Sequence, residues 1–459
     1  MISKSELRRR RQALFRRVGI LGGAAVTAAV AALAGGMLVT ATAASAATSG
    51  GSWSRPRALP VPPGFVGGSD VTALSCASRS ACTAVVTYQI RSGRNRFFAV
   101  TERRGVWGKA VRIAAPVASR GVDFGRPVLS CPSAGNCTAG GVYGPGAFVV
   151  SEVNGTWGKA RKVRSDPTAI SCPAPGDCTA ALARGYLASE RHGTWRKAFP
   201  VPGLAALRHG QPTDFGVISC PSLGSCTAAG SYFPSDGIAR SFVVTERHGI
   251  WGTARLVRSR LSGGLTISVL SCISAGDCVA GGYSNPLAGR QGAFAVTDRH
   301  GTWGMAEILP GTSELGGGIN QLDCRAAGAC SAAGFFYAGQ QQQAQPFVST
   351  ETNGTWHRAK TITGAGPGPF PILNLLSCAA AGNCVLAGAI VVPGGIQAAT
   401  AAQANGRWGP ARVLRGVRVL DRGHDSAIGA LSCPARSRCT AIGSFEILLS
   451  GHLFVTAQR

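Results

Sequence analysis

Sixteen cysteines, all in eight pairs of one spacing, C-x5-C, are the residues of this 459-residue chain best equipped for chemistry. The pairs are Cys76/Cys82, Cys131/Cys137, Cys172/Cys178, Cys220/Cys226, Cys272/Cys278, Cys324/Cys330, Cys378/Cys384 and Cys433/Cys439. Thiols can hold a metal, exchange electrons or form disulfides, and the spacing separates these uses. A zinc site gathers C-x2-C pairs and histidines at one centre, whereas pairs strung evenly along a chain do not converge. Eight equivalent redox sites would be redundant. The expectation is eight local disulfides, no metal and no cofactor, in a protein that matures in an oxidising compartment. Each bridge closes a loop of about seven residues, worth roughly 2.4 kcal/mol in the chain-entropy model.

Other candidate chemistry is sparse. His192, His248 and His300 each precede a glycine in a tight-turn pattern, which makes them turn residues before ligands. Asp70, Asp123, Asp214 and Asp425 lie six or eight residues ahead of their unit's first cysteine. Carboxylates repeated in this way could ring a channel mouth and hold a cation or polar ligand, and they could equally cap turns or strand starts. No P-loop, nucleophile elbow, HExxH or dinucleotide fingerprint occurs. No pair of acids stands out as a glycosidase acid and nucleophile, so no catalytic residue is assigned.

The elements that position these residues follow from the tryptophans. Seven pairs are followed by Gly-x-Trp, at Trp107, Trp157, Trp195, Trp251, Trp303, Trp356 and Trp408, while Trp53 precedes the first pair. A repeat whose last copy is completed by the N-terminus describes a ring, and rings of about 52-residue units are β-propellers. The expected fold is all-β: an eight-bladed β-propeller of four-stranded antiparallel blades, one domain over residues 47–459. In the second copy, runs beginning at Val128, Cys137, Ala147 and Thr156 read as strands A to D, from the axis outward. The C–D turns, such as Asn154-Gly155 and His300-Gly301, carry the type I′ signature. Leu453 to Arg459 matches a strand C that stops where its turn should begin. Gly50-Gly51-Ser52-Trp53 supplies that turn and the start of the outer strand, so the N-terminal strand is expected to complete the C-terminal blade.

Alternating strand direction puts the A–B and C–D turns on one face, nearly constant in length, and the B–C and D–A loops on the other. The cysteines span the A–B turns, so their bridges are expected as staples on the constant face. Facing residues at a non-hydrogen-bonded antiparallel position have Cα atoms about 4.5 Å apart, which a disulfide can span. The second set of loops varies: 89–96, 233–240, 284–291, 340–345, 114–126, 203–216 and 364–371 differ in length and composition. Binding usually sits on variable loops of a rigid scaffold, though such variation is also what drift produces. Six tyrosines, Tyr88, Tyr143, Tyr186, Tyr232, Tyr283 and Tyr337, recur at the end of strand B. Their repetition points to packing.

Residues 1–46 read as an export signal: a basic start (Arg8 to Arg11, Arg16, Arg17), a charge-free stretch from Val18 to Ala44, and cleavage after Ala46 at Ala44-Ser45-Ala46. The alternative is an uncleaved anchor over residues 18–44. Arg16-Arg17 leaves the twin-arginine route open beside the general one. The formal charge of +26 falls to about +20 without this segment. Much of the excess lies on the expected outer strands and their ends: Lys109, Arg112, Lys159, Arg161, Lys162, Arg196, Lys197, Arg255, Arg258, Arg358, Lys360, Arg412 and Arg415. Charge there discourages edge-to-edge pairing. It could also form a belt that binds an anionic polymer.

The stretches Thr101 to Trp107, Ser151 to Trp157 and Thr297 to Trp303, with an acid before the turn and Gly-x-Trp after it, resemble Asp-box (BNR, sialidase-type) propeller repeats. Those repeats have the signature Ser/Thr-x-Asp-x-Gly-x-Thr-Trp. Here Gly-to-Trp is one residue shorter, the acid lies three before the glycine, and it is usually Glu. The resemblance implies a propeller and does not carry over sialidase activity. The Arg, Ala and Gly bias likewise resembles secreted actinobacterial proteins.

Together these features point to a secreted, disulfide-stapled, monomeric propeller that acts as a non-catalytic binding or scaffold module at the cell envelope. Its partner would be an anionic cell-wall polymer, a glycan or a protein. Export argues against a physiological nucleic acid, and membrane attachment would require the uncleaved anchor. The alternative is a carbohydrate-active enzyme, glycosidase or lyase, with its site at the channel mouth.

Overall fold

The computed structural model describes residues 51–458 outside 66–71, 90–94, 115–126, 144–145, 286–291, 313–315, 339–342, 367–372, 423–424, 448–449 and the positions 212 and 262. Over these residues the chain forms eight antiparallel sheets arranged as an eight-bladed β-propeller. The blades span 72–113, 128–163, 167–200, 213–256, 264–308, 318–361, 373–413 and 426–457, the last completed by residues 57–58. Strand A of each blade touches strand A of the next, and that of blade 8 touches that of blade 1. The ring is closed, with the A strands innermost.

Blade 2 shows how the sequence makes the unit: A is Val128–Ser133, B is Asn136–Tyr143, C is Gly146–Val153, and D is Thr156–Trp157 continued by Arg161–Val163. Every C–D turn from Arg104-Gly105 to Asn405-Gly406 has positive φ at both residues, such as 48° and 84° at Asn154 and Gly155. This is the type I′ hairpin that its residues favour. Strand D is not the continuous run that the sequence suggests. Trp157 pairs with Glu152 but Arg161 pairs with Val149, so D carries one residue more than C. Gly158 N donates to Ser151 O across this bulge, at 2.9 Å.

The A–B and C–D turns share a face and touch. Gly155 N donates to Gly135 O at 2.7 Å, and five further blades repeat the bond, as in Gly301 N to Gly276 O at 2.9 Å. A Cβ on Gly276 would come within 2.7 Å of Gly301 N, so the A–B turn takes glycine for this approach as well as for its φ of 89°.

The core lies between blades. Phe98, Phe148, Phe242, Phe294, Phe347 and Phe454 are fully buried, each four residues before the strand C residue that pairs with the tryptophan. Burying one such ring is worth about 1.5–3 kcal/mol. Tyr88, Tyr143 and Tyr232 are buried in the same clusters, as repetition suggested, whereas Tyr337 is exposed.

Closure is made by the chain ends. Trp53 bridges Gln458, and Arg57–Ala58 pairs with Val455 and Phe454. Ser54 N donates to Ala457 O at 2.8 Å, and Leu59, buried among Ile442, Leu453 and Val455, donates to Leu453 O at 3.0 Å.

All eight cysteine pairs form disulfides within their own A–B hairpins: Cys76–Cys82, Cys131–Cys137, Cys172–Cys178, Cys220–Cys226, Cys272–Cys278, Cys324–Cys330, Cys378–Cys384 and Cys433–Cys439. The pairing is as the spacing predicts, but the placement differs from a staple on a surface turn. The second cysteine of every bridge is buried; Cys226, Cys278 and Cys330 are only 3%, 2% and 2% exposed. The physical reason is that strand B lies between neighbouring blades, so its cysteine packs into the core: Cys226 joins Phe242 and Tyr232, and Cys330 joins Ile319 and Phe347. The facing strands also approach more closely than the expected separation of about 4.5 Å. Cα atoms are 4.0 Å apart in Cys220–Cys226, Cys272–Cys278 and Cys324–Cys330.

The surroundings of the bridges tie blade to blade. The residue before the first cysteine, serine in seven copies, accepts a hydrogen bond from that cysteine's backbone N–H in the next blade. Cys131 N donates to Ser75 Oγ at 3.1 Å, and the circuit ends with Cys76 N donating to Ser432 Oγ at 3.1 Å. Hydroxyls on strand B meet the next bridge. Thr138 Oγ1 lies 3.2 Å from Cys178 Sγ, Thr179 Oγ1 3.9 Å from Cys226 Sγ, Thr227 Oγ1 3.5 Å from Cys278 Sγ and Thr440 Oγ1 3.4 Å from Cys82 Sγ.

Candidate functional site

The four candidate aspartates are not shown gathered at one site. Asp70 and Asp123 lie outside the described residues. Asp214 is the second residue of the inner strand of blade 4, Thr213–Ser222, paired by backbone with Ser231. Asp425 is exposed just ahead of the inner strand of blade 8, Ser426–Ala435, and its Oδ1 accepts Ile396 N at 2.7 Å. That bond caps the turn before Gly395–Ala404 in blade 7. Much of the variable face, including 115–126, 286–291 and 367–372, also lies outside the described residues. Among the described residues no group of three His, Cys, Asp or Glu could hold a metal ion, and no helix is long and apolar enough to cross a membrane.

One inner-strand acid was not singled out in the sequence. Asp323 replaces serine in the circuit before the cysteines and accepts Cys378 N at 2.7 Å. Arg325 holds it from the same strand, Nε to Oδ1 at 2.8 Å. Burial pushes its carboxyl up against the pull of Arg325. The signal was present: seven copies read Ser-Cys and one reads Asp-Cys.

A second set of acids is more regular. The strand C residue opposite the tryptophan is Glu102, Glu152, Glu190, Glu246, Asp298, Glu351, Gln403 or Gln458, and all eight are buried. For four of the acids an arginine of the preceding blade answers the charge. Arg191 Nη2 donates to Glu246 Oε1 at 3.0 Å, and Arg103, Arg247 and Arg299 act in the same direction on Glu152, Asp298 and Glu351. Where the preceding blade has Thr352 or Ala404 in place of that arginine, the next blade has Gln403 or Gln458 in place of the acid. Blade 3 keeps Glu190 behind Val153 by other means: Ser151 Oγ donates to it at 2.7 Å and Thr138 Oγ1 at 3.4 Å. Four of these six acids thus meet an arginine of the preceding blade and Glu190 meets two hydroxyls, whereas among the described residues burial alone acts on Glu102.

Burial raises the carboxyls of Glu102, Glu152, Glu190, Glu246 and Glu351 above their ordinary range and pushes Asp298 to about 6. Groups whose native pKa is raised bind protons more tightly folded than unfolded. Their contribution is full below the unfolded carboxylate pKa and is lost as pH rises through the native one. The thermal midpoint is therefore expected to fall by several degrees between pH 5 and pH 8, measured by scanning calorimetry. Asp298→Asn should raise the midpoint at pH 8 and leave it nearly unchanged at pH 4. A midpoint that rises with pH over this interval would contradict the assignment.

The basic residues of the outer strands form the most extensive charged feature. All thirteen named above are exposed. Among the described residues the ion pairs are Arg191–Glu246, Arg240–Asp236, His300–Asp277 and Arg325–Asp323, and none includes a member of this belt. Among the described residues no ion pair neutralises the positive charge of the rim, although Arg161 acts electrostatically on the buried Glu190.

Two concavities open between blades on the face of the constant turns. One, between blades 1 and 2, is lined by Glu102, Arg103 and Asn154 among others. The other, between blades 7 and 8, is lined by Asn383, Gln403, Asn405, Arg436, Ser437 and Gln458.

No family model matches this sequence, and no curated protein matches it. Solved structures give distant similarity. YCF48 bound to D1 peptide is 13% identical, with a TM-score of 0.40, over 73% of this chain and 93% of that one. A protein of unknown function from Dyadobacter fermentans is 11% identical, with a TM-score of 0.42, over 89% and 100%. A Hadza microbial sialidase is 10% identical, with a TM-score of 0.39, over 78% and 79%. At these values nothing about ligand or activity follows for this chain, and its propeller fold stands on its own sheet topology.

Proposed function

We propose that this protein is an exported, non-catalytic binding module of BNR-like repeat type that holds an anionic polymer of the cell envelope through its cationic rim. The observation that carries the reading is the belt itself: thirteen exposed lysines and arginines on and beside the outer strands, none in an ion pair with a carboxylate among the described residues. Contacts to phosphate or carboxylate groups would be individually weak and multiplied around the rim. The disulfides suit an oxidising compartment. Residues 1–46 are proposed as the export signal and residues 47–459 as the propeller, acting as a monomer.

Retention on isolated cell-wall material, before and after chemical removal of its anionic polymer, tests the reading. Binding should be lost with the polymer and should fall steeply with added salt. Retention that persists on the stripped wall would contradict it. So would release of sugar from the wall that survives purification and is abolished by a point substitution in this chain.

A further inference from the structure

The outer strands fall into two groups at one position, the alanine three residues after the tryptophan. In blades 4, 6 and 7 the linker from the preceding blade closes over it: Ala254 N donates to Pro202 O at 2.8 Å, Ala359 N to Pro310 O at 2.7 Å and Ala411 N to Thr363 O at 2.7 Å. In blade 5 the linker pairs as an extra strand, Arg258 and Ser259 beside Met305 and Ala306. In blade 8 the position is Pro56, which has no N–H to offer. Blades 1, 2 and 3 differ. Among the described residues no acceptor meets the backbone N–H of Ala110, Ala160 or Ala198. These three alanines are half-buried, whereas Ala254, Ala306 and Ala411 are buried.

The residue before each open amide is lysine: Lys109, Lys159 and Lys197, all exposed. The residue before each closed one is Thr253, Met305, Arg358 or Pro410. Lysine is rare in this chain. Six occur, and three of the five that follow Lys4 take this one position. Arginine, far commoner, takes it only in blades 6 and 8, as Arg358 and Arg55, where the amide is covered or absent.

We propose that Lys109–Ala110, Lys159–Ala160 and Lys197–Ala198 are three copies of one phosphate-binding unit, in which the ammonium supplies charge and the free backbone N–H a directed hydrogen bond. An ammonium is a point charge whose donors turn to suit a phosphate, whereas the guanidinium fork suits paired carboxylate oxygens as well. Backbone N–H groups beside a lysine are also what cradles phosphate in nucleotide-binding loops. The units stand on consecutive blades at the same place in the repeat. Their ligand is therefore a chain in which phosphate recurs, a poly(polyol phosphate), lying along blades 1 to 3. The inference rests on the proposed rim binding and deepens it, by naming the arc and the anion. Lysine on an open edge also guards against strand pairing, and the two roles predict different results.

The test titrates polyglycerol phosphate of defined length into the intact protein in 0.1 M salt, with light scattering recorded beside it. Lys109→Gln, Lys159→Gln and Lys197→Gln together should weaken binding at least about tenfold. Lys360→Gln, Arg412→Gln and Arg415→Gln together remove the same charge from blades 6 and 7 and should weaken it less than about threefold. Ala160→Pro deletes one N–H, keeps every charge and copies the residue that blade 8 carries as Pro56. It should weaken binding about twofold to threefold with a thermal midpoint near that of the parent. Polygalacturonate of matched charge should bind the parent at least about threefold more weakly. Equal losses from the two triple variants would overturn the arc and leave the rim reading standing, whereas no loss from either would overturn both. Parental affinity in Ala160→Pro would remove the amide from the unit, and polygalacturonate binding as tightly as polyglycerol phosphate would remove the preference for phosphate; either result overturns the proposal. A lysine triple variant that self-associates yet binds like the parent would make the lysines edge guards only, which also overturns it.

Discussion

A chain that lacks residues 1–60 is expected to lose the eighth blade as a stable unit and to melt at least about 10 °C below the intact propeller. The loss is large because closure rests on few residues, each used several ways. Trp53 packs against Val385 and Leu431, next to the disulfide of blade 8. Leu59 is 3% exposed between blades 8 and 1. Thr456 Oγ1 donates to Ser54 O at 2.7 Å and Gln458 Nε2 to Gly51 O at 3.1 Å, so removal leaves several buried polar groups on strand C unpaired. It also bares Ser450–Ala457 as an open edge, which invites aggregation. Trp53→Ala alone should cost about 2–4 kcal/mol, less than a fully buried tryptophan because the ring is partly exposed. Thermal melting and light scattering read both effects. A truncated chain that melts within about 2–3 °C of the intact one would show that the ring closes without its N-terminal strand.

Reduction of the eight disulfides is expected to have an effect of similar size. Each closes a loop of about seven residues, and in the chain-entropy model each is worth roughly 2.4 kcal/mol. The contributions will not sum, because unfolded repeats retain local order and the blades unfold cooperatively with their neighbours. The structure adds a second cost. The buried sulfurs sit against hydroxyls of the preceding blade, as Cys178 does against Thr138 and Cys384 against Ser331 at 3.4 Å. The adjoining backbone makes the circuit of bonds to Ser75, Ser130 and their equivalents. Loosening a hairpin therefore loosens an inter-blade contact. The fully reduced protein should melt at least about 10 °C lower and less cooperatively, with thiol titration confirming complete reduction. An unchanged, sharp transition would make the bridges redundant.

The fold was legible because its signals are local and repeated. C-x5-C marks each A–B hairpin, Asn-Gly or His-Gly marks six of the C–D turns and Arg104-Gly105 a seventh, and the displaced Trp53 marks closure. The bulge after each tryptophan was not legible, since a residue gained within an outer strand leaves its composition unchanged. Nor was the depth of Cys226, Cys278 and Cys330, because a cysteine beside a turn reads as peripheral until the next blade is laid over it. The role of the strand C acids was hidden for the same reason. Glu190 and Glu246 stand two residues before a surface turn, and they are buried because the neighbouring blade covers that face. The clue was the exchange of Gln403 and Gln458 for acid where Thr352 and Ala404 replace arginine, which becomes meaningful only once blades are known to pack in sequence order. The candidate site was less legible. The belt is read directly from Lys and Arg positions. Loop variability drew attention to the opposite face, where Asp425 serves to cap a turn.

The central claim, that an un-neutralised rim binds anionic polymer, is tested most directly by the slope of log Kd against log salt concentration for a defined polyanion such as polyglycerol phosphate. The parent should show a steep linear dependence, since each phosphate contacted releases counterions. A variant in which Lys159, Arg161, Lys162, Arg196, Lys197 and Arg255 are replaced by glutamine should bind at least about tenfold more weakly in 0.1 M salt, with a visibly shallower slope. Equal affinity and equal slope in parent and variant, with both still folded, would contradict the account.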